Sequence, residues 1–372
     1  MDFKELNNLV KPLCDESMHA AGAKWDGVAK PLGSLGRFEE AVTRIAGIYG
    51  TPDVRIDKKG VLVLCGDNGV LSQGVAMTPG EVTAIMAEFI ADGRSSVCRM
   101  AKTAGADVIA VDMGMFRRVN AKNLMDRRVA DGTNDFTNGP AMTVEQASQA
   151  INTGIELTKN CAVQGYKILA TGEMGIGNTT TSSAIAAVLL GGNPGEVTGR
   201  GVGLSDEGLE RKIAAVKKAI LVNSPDKNNA FDVLQKLGGF DIAGLTGVFI
   251  GAAVCRIPIV IDGFISSVSA LLAVTLCPGA RDFIFPSHLS AEPAGRMVLG
   301  ALGLEPFITA DMRLGEGTGA VCMFPLLDMA LSVYHTACTY ADIDNMAGKE
   351  ITYQGEDAKK VAGASIDISY LT

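Results

Sequence analysis

Short runs of β-branched and apolar residues alternate, through most of the chain, with segments that have the period of an α-helix. The strand-like runs cover residues 61–65, 107–112, 166–170, 257–261 and 282–285. The helical segments cover residues 81–91, 180–190, 208–221 and 266–275. This alternation predicts an α/β fold in which a parallel sheet carries helices on both faces. In such a fold the loops at the carboxyl ends of the strands form the ligand site.

The two ends of the chain lack clear strands. Residues 1–50 and 325–372 carry helix-like patterns when tested for period, so we expect them to form one small helical domain. Residues 51–324 then form a large α/β domain. The length of 372 residues is sufficient for two domains of this kind.

Charge and composition limit the partners. The chain has 33 basic and 41 acidic residues, a formal net charge of −8, and no basic run. We therefore expect neither nucleic acid nor a membrane surface as a partner. The N-terminal residues lack the apolar core of a signal peptide, and the 8 cysteines are scattered without a CxxC pair. A cytoplasmic protein with reduced thiols is the expectation.

Two features that imitate other classes of protein are discounted. None of the 3 histidines shares a metal-ligand spacing with another histidine or a cysteine, so we expect no metal site. Residues 244–276 are strongly apolar, but Arg256, Pro258 and Asp262 interrupt them. This segment predicts a buried helix, strand and helix rather than a membrane span.

The segment Thr171-Gly-Glu-Met-Gly-Ile-Gly-Asn-Thr-Thr-Thr181 follows a predicted strand and leads into a helical segment. A glycine-rich turn before a helix exposes free N–H groups and the positive end of the helix dipole, which together favour an anion. We therefore predict that this turn binds a phosphate or a ribose phosphate. The alternative is a well-capped helix without a ligand. Glu173, in the same turn, is a candidate acid.

A second glycine-rich stretch, Asp311-Met-Arg-Leu-Gly-Glu-Gly-Thr-Gly-Ala320, places one carboxylate between two glycines. Because glycine has no Cβ, backbone and ligand approach each other closely in such a loop. Glu316 would then project into a site. The alternative is a helix N-terminus with Glu316 in its first turn, and the spacing alone does not decide between the two.

Three further stretches carry weaker signals. Residues 198–206, TGRGVGLSD, precede a helix on which Lys212 would offer a point charge to a phosphate, although a basic pair on a helix is more often solvated. Residues 287–293, SHLSAEP, follow a strand and contain His288, which we interpret as structural. Asp67 and Asn68, in GDNGV, are explained by turn geometry alone.

These motifs, together and in this order, resemble the nicotinate-nucleotide:dimethylbenzimidazole phosphoribosyltransferases of cobamide lower-ligand synthesis. The match runs from KPLGSLGR at residues 30–37 through GDNGV, GEMGIGNTT, GRGVGLSD, IDGF and SHLSAEP to RLGEGTGA, nearly the whole chain. The resemblance implies transfer of the ribose phosphate of nicotinate mononucleotide to an aromatic base, giving an α-ribotide and nicotinate without a cofactor. It also implies a large Rossmann-like domain, a small helical domain from both termini, and a dimer.

The resemblance assigns roles to residues. Glu316 would be the general base, and Glu173 would lie near the base or the ribose. This fits the reaction, because nicotinate leaves from a pyridinium without an acid, and one carboxylate suffices to take the proton of the incoming base. At the phosphate the implied residues are Gly175, Gly177, Asn178 and Lys212. The other substrate-binding residues implied are Ser290 and Arg313, at the nicotinate end, with Thr179, Gly201, Ala291 and Gly315.

The sequence departs from the family pattern around the aromatic base. The turn that usually has the sequence D-H-G contains Asn68, Ile85 stands where glutamine is common, and Ala76 begins a segment that is usually Ser-Ala-Tyr. We therefore expect these three residues to form a remodelled acceptor pocket. A benzimidazole there would leave a polar atom unpaired, at a cost of about 1–3 kcal/mol, whereas a phenol such as phenol or p-cresol would not.

Phenol-using members of the family are heterodimers of homologous subunits, so this resemblance leaves a homodimer and a heterodimer both open. It also leaves open a non-catalytic, nucleotide-binding subunit of a heterodimeric phosphoribosyltransferase. A nucleotide-dependent dehydrogenase is a weaker alternative, because no GxGxxG motif follows the first strand.

Overall fold

The computed structural model describes residues 2–349 and 351, and within them it contains one six-stranded sheet. The strands are β1 Lys59–Gly66, β2 Ala106–Gly114, β3 Leu124–Asp126, β4 Ile168–Met174, β5 Ile259–Val260 and β6 Ile284–Phe285. All neighbours pair in parallel, in the order β3-β2-β1-β4-β5-β6. The predicted α/β fold is confirmed. This is the Rossmann strand order, and the order reverses between β1 and β4, where ligands bind in such sheets.

Fifteen α-helices accompany the sheet in the described part of the chain. They are α1 Phe3–Leu9, α2 Asp15–Gly27, α3 Arg37–Tyr49, α4 Glu81–Ala91, α5 Ser96–Thr103, α6 Val144–Val163, α7 Asn178–Leu190, α8 Pro194–Val197, α9 Asp206–Asn223, α10 Ala230–Leu237, α11 Phe240–Cys255, α12 Phe264–Leu276, α13 Gly295–Ala301, α14 Thr318–Thr336 and α15 Tyr340–Ala347. Short 3-10 helices cover Gly69–Gln73 and Pro278–Phe283.

The apolar segment at 244–276 consists of the end of α11, strand β5 and α12, which is the predicted helix, strand and helix. Helix α11 packs on α6 with the two backbones in contact, since a Cβ added at Gly154 or Gly247 would overlap the backbone of the other helix. Small residues are therefore required at this contact. Among the described helices, none combines the length and hydropathy needed to span a bilayer.

The chain divides into two compact units. The larger contains the described residues up to Lys11 and Lys58–Met323, and the smaller contains Pro12–Asp57 with the described residues from Phe324 onward. The smaller unit has a core of its own, in which the rings of Trp25 and Tyr334 lie 4.9 Å apart. The sequence-based division puts all of residues 1–50 in the small domain, whereas α1 belongs to the larger unit. Residues 350 and 352–372, the end of that small domain, lie outside the described residues.

Candidate active site

The loops that follow β4, β5 and β6, together with the loop before α14, line one cavity of about 140 Å³. It lies at the carboxyl edge of the parallel sheet, where the alternation of strands and helices places a ligand site. The predicted site residues that line the cavity are Ala76, Glu173, Gly175, Gly177, Asn178, Thr179, Gly201, Lys212, Ser290, Arg313, Gly315 and Glu316. The structure therefore brings together most of the predicted site residues, although they come from separate sequence motifs.

Three predicted residues do not line this cavity. Ala291 is exposed and donates its N–H to the carbonyl oxygen of Met312 at 3.1 Å. Ile85 lies on α4 with 39% of its surface exposed. Asn68 is fully buried beneath the turn after β4, where a Cβ added at Gly175 would lie 3.1 Å from its Nδ2. The acceptor roles of Ile85 and Asn68 stay predictions.

Glu316 is held in an unusual backbone conformation. Its φ is +60°, and the glycines on either side, Gly315 and Gly317, have φ of +87° and +97°. A side chain is strained in this left-handed region, so such residues are informative when they occur at a site. The loop also lies against β4, because a Cβ at Gly172 would overlap the Glu316 carbonyl oxygen. The buried Glu316 carboxylate accepts the N–H of Val97, at the start of α5, at 3.2 Å.

Glu173 is a buried acid near the carboxyl end of β4. The amide nitrogen of Asn178 donates one hydrogen bond to Glu173 Oε2 and another to Asp241 Oδ2, the latter at 2.9 Å. Burial raises the pKa of Glu173 to about 8, and the charges of Asp241, Asp262 and Glu316 act in the same direction. Both protons of the Asn178 side-chain nitrogen therefore go to carboxylates, and its role at the phosphate stays a prediction.

Asp262 follows β5 and caps the helix that begins after Glu316. One carboxylate oxygen accepts the N–H groups of Gly319 at 2.8 Å and Ala320 at 3.1 Å, and the other accepts that of Gly317 at 3.1 Å. Burial raises the pKa of the Asp262 carboxyl, while the charge of His288 and these N–H groups oppose the rise. Burial also lowers the pKa of His288, which lines the same cavity. We call Glu173, Asp262 and Glu316 the acid cluster.

A second group lies where α9 meets the start of α7. Lys212 is fully buried and its Nζ donates to Thr179 Oγ1 at 2.8 Å. Burial lowers the pKa of Lys212 to about 8, against the effect of the Glu292 charge. We find no ion pair for Lys212 within residues 2–349. Gly177, before α7, has a φ of +97° and offers no side-chain cap. We call Gly177, Thr179 and Lys212 the lysine cluster.

The N-termini of the helices near the cavity fall into two groups. Protein carboxylates fill two of them, since Glu316 accepts from α5 and Asp262 accepts from α14. The N-termini of α7 and α12 have no side-chain cap. Free N–H groups at a helix N-terminus bind anions, and of these two open ends the one at α7 has the buried cation Lys212 beside it. The N-terminus of α7 is therefore the candidate anion site that the proposal below uses.

Several side chains of this cavity were not predicted from the sequence, among them two acids and a histidine. Asp262 and Glu292 line it without having been assigned roles, and His288 was interpreted as structural but lines it as well. Asp262 and His288 follow predicted strands directly or within three residues, and position after a strand was the signal that could have found them. The capping role of Asp262 depends on backbone groups 55 to 58 residues later in the chain, which no local pattern indicates.

Comparison with known proteins agrees with this geometry. The chain matches a family model described as phosphoribosyltransferase over residues 10–343. It is 47% identical over 342 residues to the nicotinate-nucleotide–dimethylbenzimidazole phosphoribosyltransferase of Acetivibrio thermocellus, covering 92% of this chain and 97% of that protein. The protein of the same name from Ruminiclostridium cellulolyticum is 43% identical over 342 residues, with 92% and 97% covered.

A solved structure is similar in the same way. The crystal structure of CobT from Thermus thermophilus superposes with a TM-score of 0.84 at 36% identity, covering 91% of this chain and 100% of that one. Fold, sequence and family model therefore agree over most of the length. This chain belongs to the nicotinate-nucleotide–dimethylbenzimidazole phosphoribosyltransferase family of cobamide biosynthesis.

Proposed function

We propose that this chain transfers the phosphoribosyl group of nicotinate mononucleotide to an aromatic base, giving an α-ribotide phosphate and nicotinate. One observation carries the proposal. A single cavity contains an open helix N-terminus with a buried lysine and, beside it, a buried carboxylate on a strained loop. The first group suits the phosphate of the donor, and the second suits the proton of the acceptor. The larger unit, which contains both groups, is the catalytic domain.

The phosphate binds at the lysine cluster. Lys212 Nζ supplies a positive charge, and the hydroxyl proton of Thr179 is free to donate because its oxygen accepts from Lys212. The N–H of Thr179 and the positive end of α7 complete the site, because the neighbouring N–H groups of Asn178 and Thr180 already donate to backbone carbonyl oxygens. Gly201 leaves room there, since a Cβ at that position would lie 3.5 Å from Lys212 Nζ. A buried cation without an ionic partner gains a charge-assisted hydrogen bond when a phosphate arrives.

The nicotinate end of the donor faces Ser290 and Arg313, which line the same cavity. The pyridinium nitrogen carries a positive charge in the mononucleotide and becomes neutral as its bond to C1′ breaks. The leaving group therefore takes the bonding electron pair without needing a proton. A hydroxyl and a guanidinium suit the nicotinate carboxylate, which has to be held while the ring departs.

Glu316 is the general base. The acceptor attacks C1′ with a ring nitrogen or a phenolic oxygen, and the N–H or O–H proton passes to the Glu316 carboxylate. One oxygen of that carboxylate accepts from Val97, which leaves lone pairs for the acceptor. Glu173 lies under the loop, since a Cβ at Gly315 would come within 2.7 Å of its Oε1. With its raised pKa, Glu173 adds little negative charge to the cavity at neutral pH.

The acceptor is an aromatic lower-ligand base. The names of the relatives specify dimethylbenzimidazole, and the departure at Ala76, which unlike Ile85 and Asn68 lines the cavity, extends the choice to phenol and p-cresol. An open groove of about 800 Å³, lined by residues such as Ala76, Met77 and Phe116, adjoins the cavity through Ala76. It is the route by which we propose the base enters. A phenol has a pKa near 10, so its proton would leave in concert with attack.

A competition assay tests the proposal. The purified chain is incubated with nicotinate mononucleotide and equal concentrations of dimethylbenzimidazole and phenol, and the ribotides are separated by mass. We expect nicotinate and ribotide in equal amounts. Phenol ribotide among the products would support the remodelled acceptor site. Dimethylbenzimidazole ribotide as the sole product would contradict it. No nicotinate release with either base would overturn the proposed reaction for the chain on its own.

The same assay, repeated with a homologous subunit added, addresses the partner. A homodimer is expected to be active alone, whereas a heterodimer gains activity on mixing. A non-catalytic subunit is the alternative function, and it predicts that Glu316→Gln leaves the turnover of the assembly unchanged. The buried position of Glu316 at the cavity argues for catalysis by this chain.

A further inference from the structure

The loop that carries Glu316 has to be held in place by something other than its own sequence. Gly315, Glu316 and Gly317 are three successive residues with positive φ. Glycine visits this region freely, but a glutamate there is strained by an amount on the order of 1–3 kcal/mol, and such strain persists only where the surroundings fix it. Two glycines without a fixed neighbour would let the loop, and the carboxylate on it, adopt many conformations.

Asp262 is the neighbour that fixes the loop. Its two carboxylate oxygens accept three backbone N–H groups, from Gly317, Gly319 and Ala320, at 2.8 to 3.1 Å. Asp262 is only 2% exposed and lies two residues after β5, next to Ile261, whose N–H still donates to the carbonyl oxygen of Phe285 in β6 at 2.8 Å. The donors begin one residue after Glu316 and extend into the first turn of α14. The backbone that determines the direction of the Glu316 side chain is therefore tied to the sheet.

The packing around Asp262 leaves the loop little freedom. His288 lies against Gly319, where an added Cβ would overlap the imidazole. Ser266 Oγ accepts the N–H of Asp262 at 3.2 Å, and this bond fixes the backbone of the aspartate itself. On its other side Glu316 is fixed through its carboxylate, by the N–H of Val97. Glu316 is thus held at two points, by α5 at the side chain and by Asp262 at the backbone.

We propose that Asp262 is a positioning residue that holds the Glu316 carboxylate in the geometry needed to take the proton of the acceptor. This inference rests on the proposed function, in which Glu316 is the general base. In Asp262→Asn one of the two acceptor oxygens becomes an NH2 group, so at least one of the three N–H groups loses its acceptor. The loop then relaxes from its left-handed conformation, and the Glu316 carboxylate moves from its place beside the acceptor. Asp262 acts through Glu316 and not on the substrate.

Two other roles for Asp262 make different predictions. If Asp262 only stabilised the fold as a helix cap, its loss would lower the melting temperature without changing the turnover of the folded enzyme. If it bound substrate directly from the cavity wall, its loss would raise a KM. A positioning role lowers kcat, leaves the KM for nicotinate mononucleotide in place, and depends on the presence of Glu316.

A double-mutant cycle separates these roles. We compare the wild type, Asp262→Asn, Glu316→Gln and the double variant for kcat and KM at saturating acceptor. A displaced general base costs roughly ten- to a hundredfold in kcat, so Asp262→Asn is expected to lose that much with KM within about threefold. In the Glu316→Gln background the same substitution is expected to cost less than about twofold. Equal losses in both backgrounds, a raised KM, or an unchanged kcat would each overturn the proposal.

Asp226→Asn is the matched control. The Asp226 carboxylate also accepts a backbone N–H in a loop, from Asn228 at 3.0 Å, but it does not line the cavity. We expect this variant to keep the kcat of the wild type. A loss of kcat equal to that of Asp262→Asn would show that the effect is not specific to the Glu316 loop.

Hydrogen–deuterium exchange tests the inference without any turnover. In the wild type the amides of Gly317, Gly319 and Ala320 are expected to exchange slowly as a group, and free exchange there would overturn the proposal even if no variant folded. In Asp262→Asn we expect faster exchange both at 317–320 and at Val97, which Asp262 does not contact. If the wild type transfers no phosphoribosyl group, the proposed function fails by itself, and the exchange result still decides whether Asp262 fixes the loop.

Discussion

The acid cluster and the lysine cluster line the same cavity but use helix N-termini in opposite ways. At the acid cluster, Glu316 and Asp262 accept N–H groups at the N-termini of α5 and α14, so the protein supplies its own anions. At the lysine cluster the N-terminus of α7 has no side-chain cap, and Lys212 has no ion pair within residues 2–349. At the first cluster the chain supplies its own anions, whereas at the second we propose that the phosphate of the donor supplies one.

This difference indicates which part of the site changes when substrate binds. At the acid cluster, hydrogen bonds to Asp262 fix the backbone beside Glu316, as the proposed role of Glu316 as general base requires. The lysine cluster is electrostatically unfavourable alone, since burial of a charge without a partner costs free energy. In the proposed function, binding of the donor phosphate offsets that cost. The two clusters should therefore respond to mutation in different kinetic constants.

The largest effect is expected at the acid cluster. Glu316→Gln keeps an oxygen that accepts from Val97 but removes the base, so kcat should fall roughly 10²- to 10⁴-fold, with little change in the KM for nicotinate mononucleotide. Steady-state kinetics measure this. Glu210→Gln, an exposed glutamate of α9, is the control and should behave as the wild type. A Glu316→Gln enzyme with the turnover of the wild type would assign the chemistry to another subunit.

The lysine cluster should show the reverse pattern. Lys212→Met removes a charged hydrogen bond of about 1.5–3 kcal/mol, so the KM for nicotinate mononucleotide should rise roughly ten- to a hundredfold. The folded-state pKa of Lys212 is about 8, below its ordinary value of 10.5, so its stability penalty is fully present at pH 7. The melting temperature of the ligand-free variant should therefore equal or exceed that of the wild type.

Lys217→Met, an exposed lysine of the same helix, is the matched control for that experiment. It should leave KM unchanged. If Lys212→Met melts earlier than both the wild type and the control, and binds nucleotide normally, then Lys212 has an internal structural partner and the contrast between the two clusters fails.

A smaller effect is expected at Glu173, in the pH dependence of the free energy of unfolding. Its folded-state pKa of about 8 lies above the ordinary value of 4.5, so the folded state binds the extra proton and stability falls as pH rises from about 4.5 to about 8. Each pH unit in that window accounts for at most about 1.4 kcal/mol. Glu173→Gln retains an acceptor for Asn178. Its melting temperature should therefore exceed that of the wild type at pH 8 but not at pH 4.5. An equal difference at both values would contradict the raised pKa.

The smallest effect is expected outside both clusters, at Ile85. Its side chain lines neither the cavity nor the groove, so Ile85→Gln should change kcat/KM for dimethylbenzimidazole by no more than about twofold, within ordinary surface effects. The competition assay with dimethylbenzimidazole and phenol measures this. A tenfold gain for dimethylbenzimidazole would place the acceptor against α4 and extend the site beyond the acid cluster.

The sequence indicated the lysine cluster and, of the acid cluster, Glu173 and Glu316, because the signals of these residues are local. The buried strands at β1, β2 and β4 are long enough for a period to be seen, and the turn after β4 indicates an anion site by its glycines. Strand β3 has three residues, and β5 and β6 have two each, so their pairing depends on neighbours in the sheet rather than on their own residues.

The positions of Asn68 and Asp262 could not be predicted from local sequence patterns. Asn68 lies in a segment that has the sequence of an ordinary turn. In the folded chain it is buried, with Gly175, Gly177 and Gly239 close to its side chain. Asp262 is one aspartate after a short strand, and it becomes a cap because α14 begins beside it in space. Such long-range contacts appear only when the chain is folded, so the remodelled acceptor pocket stays a prediction from the sequence.

A crystal structure with nicotinate mononucleotide bound tests most directly whether the lysine cluster binds the phosphate and the acid cluster faces the reacting carbon. The account predicts the phosphate within hydrogen-bond distance of Lys212 Nζ and Thr179 Oγ1, with C1′ of the ribose facing Glu316. A phosphate bound instead at the open N-terminus of α12, with Lys212 left without a ligand, would contradict it.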